Sequence, residues 1–181
     1  IIRKEEVDDI DLATNLYPHQ VCDALEKSDI NYFKTGIEHG TITAVINNFK
    51  FEITSLRKDV DTDGRHAIVE FTKDWSEDAS RRDFTINAIY SDLDGNLFDP
   101  FNGKSDLKSG HVKFIGNAEN RIREDYLRIL RYLRFFTNYS EHDHDEKIKK
   151  IVKQNISGVK NLSNDRLLYE LKKLFYSPKF F

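Results

Sequence analysis

A chain of 181 residues is long enough for one large domain, or for one domain and part of a second, and its 39% apolar content, with thirteen Phe, eight Tyr and one Trp, suffices for a buried core. A single cysteine, Cys22, excludes an internal disulfide framework and the Cys-rich zinc patterns; with no apolar run near the roughly 20 residues that span a bilayer and no visible signal peptide, a soluble, cytoplasmic protein is expected. The formal charge of −3 would argue against a nucleic-acid partner if charge were evenly spread, but residues 121–134 hold five Arg against Glu124 and Asp125, a local balance of +3 of the kind that meets phosphates.

The chain opens on Ile1, contains no Met and ends on Ser177-Pro178-Lys179-Phe180-Phe181, so an incomplete polypeptide is expected. Its first patterned run is Val7-Asp8-Asp9-Ile10-Asp11-Leu12-Ala13. Read as a strand, the period of two points Asp9 and Asp11 to one face and Ile10 and Leu12 to the other. Adjacent carboxylates repel unless a cation sits between them, and oxygen-only ligands suit Mg²⁺. An exposed polar strand edge or a turn accounts for the same triplet.

A helix over Pro18 to Glu26 follows, capped by Thr14 or Asn15, then a strand from Asn31 to Lys34. Thr41 to Ile46 and Phe49 to Leu56 form a hairpin around Asn47-Asn48. Its second strand puts Glu52 on the face opposite Phe49, Phe51 and Ile53, either in reach of Asp9 and Asp11 or simply solvated. Residues 57–76 lose periodicity and read as a functional or disordered loop, in which the Asp59, Asp61, Asp63 spacing lacks the remaining ligands of a calcium site.

Periodicity returns with a short helix capped by Ser76, a strand from Ala88 to Leu93, a turn at Asp94-Gly95, a returning strand at Leu97-Phe98, a short helix over Gly103 to Lys108 and a strand from His111 to Ile115. Three helices complete the chain: Ala118 to Asn138, Asp143 to Gln154 and, capped by Ser163, Ser163 to Phe175. The His- and acid-rich run 141–146 reads as a solvated loop and helix start.

On the first of these helices Ile122, Tyr126, Ile129, Leu130 and Leu133 share one half, and Asp125, Arg128 and Arg131 the other, with Arg134 near the boundary. Guanidinium forks match phosphate oxygens or a base edge, and Asp125 three residues before Arg128 suits a mutual pair offering both acceptor and donor. An exposed, salt-bridged helix face fits equally.

Together these stretches resemble one family. Val7 to Thr14 looks like the metal-binding end of the catalytic motif of class II tRNA nucleotidyltransferases (CCA-adding enzymes) and the related bacterial poly(A) polymerases. Arg81-Arg82-Asp83-Phe84-Thr85-Ile86-Asn87-Ala88 is similar to their next signature, and Glu124 to Phe135 to their nucleotide-template motif. The resemblance implies an α+β fold: a catalytic head over residues 1–117 with a mixed five-stranded sheet, then an all-α neck over 118–181. It implies that Asp9 and Asp11 bind Mg²⁺ and are catalytic. Arg82 would contact the triphosphate, Asp125 and Arg128 would read the CTP or ATP base, and Arg131 and Arg134 would help hold the nucleotide. The implied activity is CMP and AMP addition to the tRNA 3′ end. A poly(A) polymerase, or a catalytically silent RNA-binding chain, is the alternative. The family's Gly-Gly-x-Val-Arg-Asp segment, expected just before the Asp-x-Asp strand, and its RNA-gripping body and tail are missing from this sequence. A fragment is therefore expected, or half of a split enzyme whose second polypeptide supplies them. In this family the 57–76 loop is mobile and takes part in switching from C to A addition.

Overall fold

The computed structural model describes residues 10–62 and 67–177. The chain separates into two units, the first running to Asp61 and again from Ala67 to Arg81, the second from Arg82 onward.

In the first unit Asn47 and Asn48 have φ of 51° and 67°, the left-handed values that a two-residue hairpin turn requires and that Asn tolerates. The turn joins β3 (Thr41–Ile46) to β4 (Phe49–Ser55), with Ile46 opposite Phe49 and Ile42 opposite Ile53. β2 (Asn31–Gly36) adds antiparallel to β3 and β1 (Asp11–Thr14) adds parallel to β4, giving the order β1-β4-β3-β2. The mixed sheet thus has four strands among the described residues, where five were expected.

One face of this sheet is covered by α1 (Pro18–Lys27), whose Val21, Cys22 and Leu25 pack on Ile42 and Ala44. Apolar positions 18, 21, 22 and 25 form the stripe that makes a helix bury one side. The helix is capped at Tyr17, where Gln20 Oε1 accepts from the backbone N–H at 2.9 Å, and not at Thr14 or Asn15. Thr14 is still strand, and its carbonyl accepts from Leu56 N at 2.9 Å.

The stretch 57–76 is not an aperiodic loop. β5 (Arg57–Thr62) pairs with β6 (Ala67–Phe71), and α2 (Trp75–Ser80) follows. A strand such as Arg57-Lys58-Asp59-Val60, polar on both faces, leaves no alternation to read. The cap of α2 is Asp74, which accepts from Ser76 N at 2.7 Å, so Ser76 is the capped residue rather than the cap. Buried Asp78 ties α2 to β5, accepting from Arg57 N at 3.1 Å and from Arg81 at 2.8 Å. Asp63 of the weak calcium spacing lies outside the described residues.

The second unit is built on an aromatic core of Phe84, Phe114, Ile122, Ile129, Tyr132 and Phe135. A short hairpin, β7 (Tyr90–Ser91) and β8 (Leu97–Phe98), precedes α3 (Gly103–Lys108). Gly103 lies so close to the Thr85 carbonyl that any side chain would collide with it. Buried Asp106 on α3 accepts from Thr85 Oγ1 at 2.8 Å and from Lys113 Nζ at 2.5 Å. The expected strand from His111 to Ile115 reduces to a single bridge between Phe84 and Phe114, because the segment after Phe84 turns into a 3₁₀ helix at Thr85–Asn87 and cannot extend the ladder.

The long helix expected over 118–138 is two helices, α4 (Ala118–Glu124) and α5 (Leu127–Tyr139), interrupted at Asp125, whose φ of −153° and ψ of 107° are extended. α6 (Glu146–Asn155), a 3₁₀ stretch (Ile156–Asn161) and α7 (Asn164–Phe175) follow. The 141–146 run is a loop and helix start: Asp145 caps α6, accepting from Lys147 N at 2.7 Å, and His144 stacks on Phe136 with ring centres 3.6 Å apart. Among the described residues no helix is long and apolar enough to cross a membrane.

Candidate functional site

The first unit places a pair of carboxylates. Asp11, the first residue of β1, is the register partner of Glu52 in the parallel β1–β4 pair. Register partners on adjacent strands direct their side chains to the same face. This is the face opposite α1, because Leu12 and Ile53, next in register, lie on the side of Ile42. Glu52 therefore shares a face with Asp11, as the alternation of β4 predicts, and is exposed there. Asp9 lies outside the described residues. No cluster of three or more His, Cys, Asp or Glu able to hold a metal occurs among the described residues. The donor set itself is all carboxylate, exposed, and of the kind a hard divalent cation takes.

In the second unit the expected arginines are all ordered by internal partners. Arg82 Nη1 donates to the Asn87 carbonyl at 3.0 Å, and its guanidinium lies 4.9 Å over the Tyr90 ring. Arg128 Nη1 donates to Glu124 Oε2 and to the Arg121 carbonyl, both at 2.6 Å. Arg131 Nε donates to Asp83 Oδ2 at 2.6 Å, and Arg134 Nε to buried Glu170 at 2.5 Å.

The mutual pair expected between Asp125 and Arg128 does not form. Three-residue adjacency holds only along a continuous helix, and the extended backbone at Asp125 removes it. Asp125 instead accepts from Arg166 Nη2 of α7 at 2.7 Å and from Leu127 N at 3.1 Å. The break is held by Tyr126, whose ring lies against Gly158 so closely that a Cβ there would overlap it.

Asp83, Glu170 and Arg166 were not marked by the sequence, since their partners lie 48, 36 and 41 residues away. Only Asp83 carried a signal, by standing beside Arg82 in one motif. Burial would raise the Asp83 carboxyl, but the charge and hydrogen bond of Arg131, with a bond from Asn87, outweigh it and hold the group below the ordinary carboxylate range. The same contact raises Arg131 against the opposing effect of burial.

The first unit thus presents a mixed sheet with α1 on one face and Asp11 and Glu52 on the other, and the second carries the ordered arginines. Residues 1–113 match the family described as Poly A polymerase head domain, and the chain belongs to that family. Among its relatives, human mitochondrial CCA tRNA nucleotidyltransferase 1 is 48% identical over 169 residues, covering 92% of this chain and 39% of its own length. The CCA-adding enzyme of Lactobacillus helveticus is 36% identical over 180 residues, covering 98% of this chain and 44% of its own. The Bacillus stearothermophilus CCA-adding enzyme, solved in complex with CTP, superposes with a TM-score of 0.85 at 29% identity, over 99% of this chain and 42% of that one. A tRNA nucleotidyltransferase solved with a primer tRNA and an incoming ATP analog gives 0.77 at 27% identity, over 99% of this chain and 51% of that one. The chain thus spans about two fifths of the length of the curated relatives it matches.

Proposed function

We propose that the protein is an RNA nucleotidyltransferase that adds CMP and AMP from CTP and ATP to the 3′ end of tRNA. The observation that carries this reading is the pairing of Asp11 with Glu52 on the open face of the sheet, in a chain whose relatives are named CCA-adding enzymes. In the reaction the RNA 3′-hydroxyl attacks the α-phosphorus in line as the bond to pyrophosphate breaks. We assign residues 1–117 the part of catalytic head and 118–181 that of nucleotide-template neck.

Asp9 and Asp11, with Glu52 as a candidate further ligand, are the residues that would hold Mg²⁺. Bound there, the ion would supply charge neutralisation at the triphosphate and a lowered pKa for the attacking hydroxyl. Arg82 is assigned to the triphosphate, Asp125 and Arg128 to the base, and Arg131 and Arg134 to holding the nucleotide. Their ion pairs are compatible with those roles. A guanidinium has five N–H donors, and Arg131 and Arg134 each spend Nε on a carboxylate, which fixes the plane of the fork. A wrong base would leave a donor or acceptor unpaired and be rejected. Cys22 is the only cysteine and is buried, which supports a reducing compartment such as the cytoplasm.

The family description, Poly A polymerase head domain, supports a second reading, a poly(A) polymerase of the same fold. Offering CTP and ATP together to tRNA ending before its CCA and sequencing the product separates the two. A CCA end supports the first reading, a run of A the second, and no extension refutes both.

A further inference from the structure

The polar face of the head sheet carries one side chain that the proposed reaction does not use. Register partners run across all four strands, from Asp11 on β1 to Glu52 on β4, Thr43 on β3 and Phe33 on β2. Their side chains lie in one transverse row, and at about 4.8 Å per strand the row places Phe33 some 14 Å from Asp11 between α-carbons. Thr43 is buried, yet Phe33 is 58% exposed. It stands on the face opposite the core of Val21, Cys22, Leu25, Ile42 and Ala44, so it contributes little to holding α1. A large aromatic left open at the end of a row of carboxylates and hydroxyls offers a flat apolar ring beside a charged site.

We propose that Phe33 is a platform on which a base at the 3′ end of the RNA acceptor stacks; the proposal rests on the nucleotidyltransferase reading. The span from Asp11 is one that a nucleotide or two of unstacked RNA crosses, with the terminal hydroxyl at the carboxylates and a base over the ring. Stacking suits this acceptor for a chemical reason. The last base at the first step is not the C that ends the later acceptors, so a contact made by hydrogen bonds to one base edge would not serve every step. Every base has a π-face, and stacking on an aromatic side chain tolerates all of them. Phe33 is therefore a positioning residue for the acceptor, not for the incoming nucleotide.

The test compares full-length wild-type protein with Phe33→Ala and Phe33→Trp. Two readouts are used: anisotropy of a labelled RNA hairpin with a single-stranded 3′ overhang, without nucleotide, and steady-state CMP incorporation into tRNA ending before its CCA. The proposal expects Phe33→Ala to weaken RNA binding and raise the acceptor KM about tenfold. The CTP KM and thermal midpoint should stay unchanged, and Phe33→Trp should retain wild-type values. Unchanged RNA binding in Phe33→Ala overturns it, as does a loss matched by an equal rise in the CTP KM or by altered oligomeric state. If wild type binds RNA through Phe33 but incorporates no nucleotide, the platform stands and the proposed reaction falls.

Discussion

Asp11 and Glu52 are register partners on parallel strands although 41 positions separate them in sequence, and both side chains leave the face that α1 does not cover. Glu52→Gln keeps the shape of the side chain and removes its charge. It should lower nucleotide incorporation by roughly 10²-fold or more and raise the Mg²⁺ concentration needed for half-maximal rate. A Mg²⁺ titration of the variant checks this, and unchanged rate and metal requirement would make Glu52 a solvated strand residue.

Asp125 is held between α4 and α5 by Arg166. Asp125→Ala should blur discrimination against UTP and GTP by about tenfold or more, since a buried-edge readout loses its acceptor. Arg166→Ala should act in the same direction by freeing the carboxylate. Competition assays with all four nucleotides measure it, and unchanged discrimination in Asp125→Ala would remove this residue from base reading.

Asp83 titrates below its ordinary value because Arg131 outweighs the burial that would raise it. A depressed folded-state pKa gives stability that is present above the unfolded-state value, near 3.9, and lost as pH falls through the folded one. Urea unfolding followed from pH 7 to pH 3 should therefore show a fall in stability below about pH 4 that is smaller in Asp83→Asn. Parallel curves would show that the pair is not linked to folding.

The hairpin and the α1 stripe were legible in the sequence because each follows a local rule: two Asn at a tight turn, and apolar residues at 18, 21, 22 and 25. The β5–β6 pair was not, because β5 carries charge on both faces and β6, a mostly apolar run of five residues, is too short to show an alternation. The break at Asp125 was hidden for the opposite reason. Residues 118–138 keep a helical period throughout, and the interruption is set by tertiary contacts of Asp125 with Arg166 and of Tyr126 with Gly158. The arginines were legible as a group, but the carboxylates Asp83 of Arg131 and Glu170 of Arg134 were not, nor was Arg166 as the partner of Asp125, since each pair is distant in the chain and nothing in local spacing joins it. Glu52 could be placed on the correct face from the alternation of β4 alone.

Glu170 is buried and pairs with Arg134, whose side chain is 14% exposed. Glu170→Ala leaves that guanidinium buried without a counter-charge and should cost about 3–5 kcal/mol, whereas replacing both partners by Leu should recover most of the loss. Chemical denaturation of the two variants measures the difference. A single variant as stable as wild type would mean the pair does not hold α5 to α7.

The proposed nucleotidyl transfer rests on Asp11, at the start of β1, with Glu52 as its register partner. Its most direct measurement is incorporation of labelled CMP and AMP into tRNA ending before its CCA, by wild-type full-length protein and by Asp11→Ala, at matched concentration with Mg²⁺ present. The expected result is a completed 3′ end with wild type and a rate lower by about 10³-fold or more in the variant, on the order of 4 kcal/mol of barrier. Equal rates in the two proteins would contradict the claim.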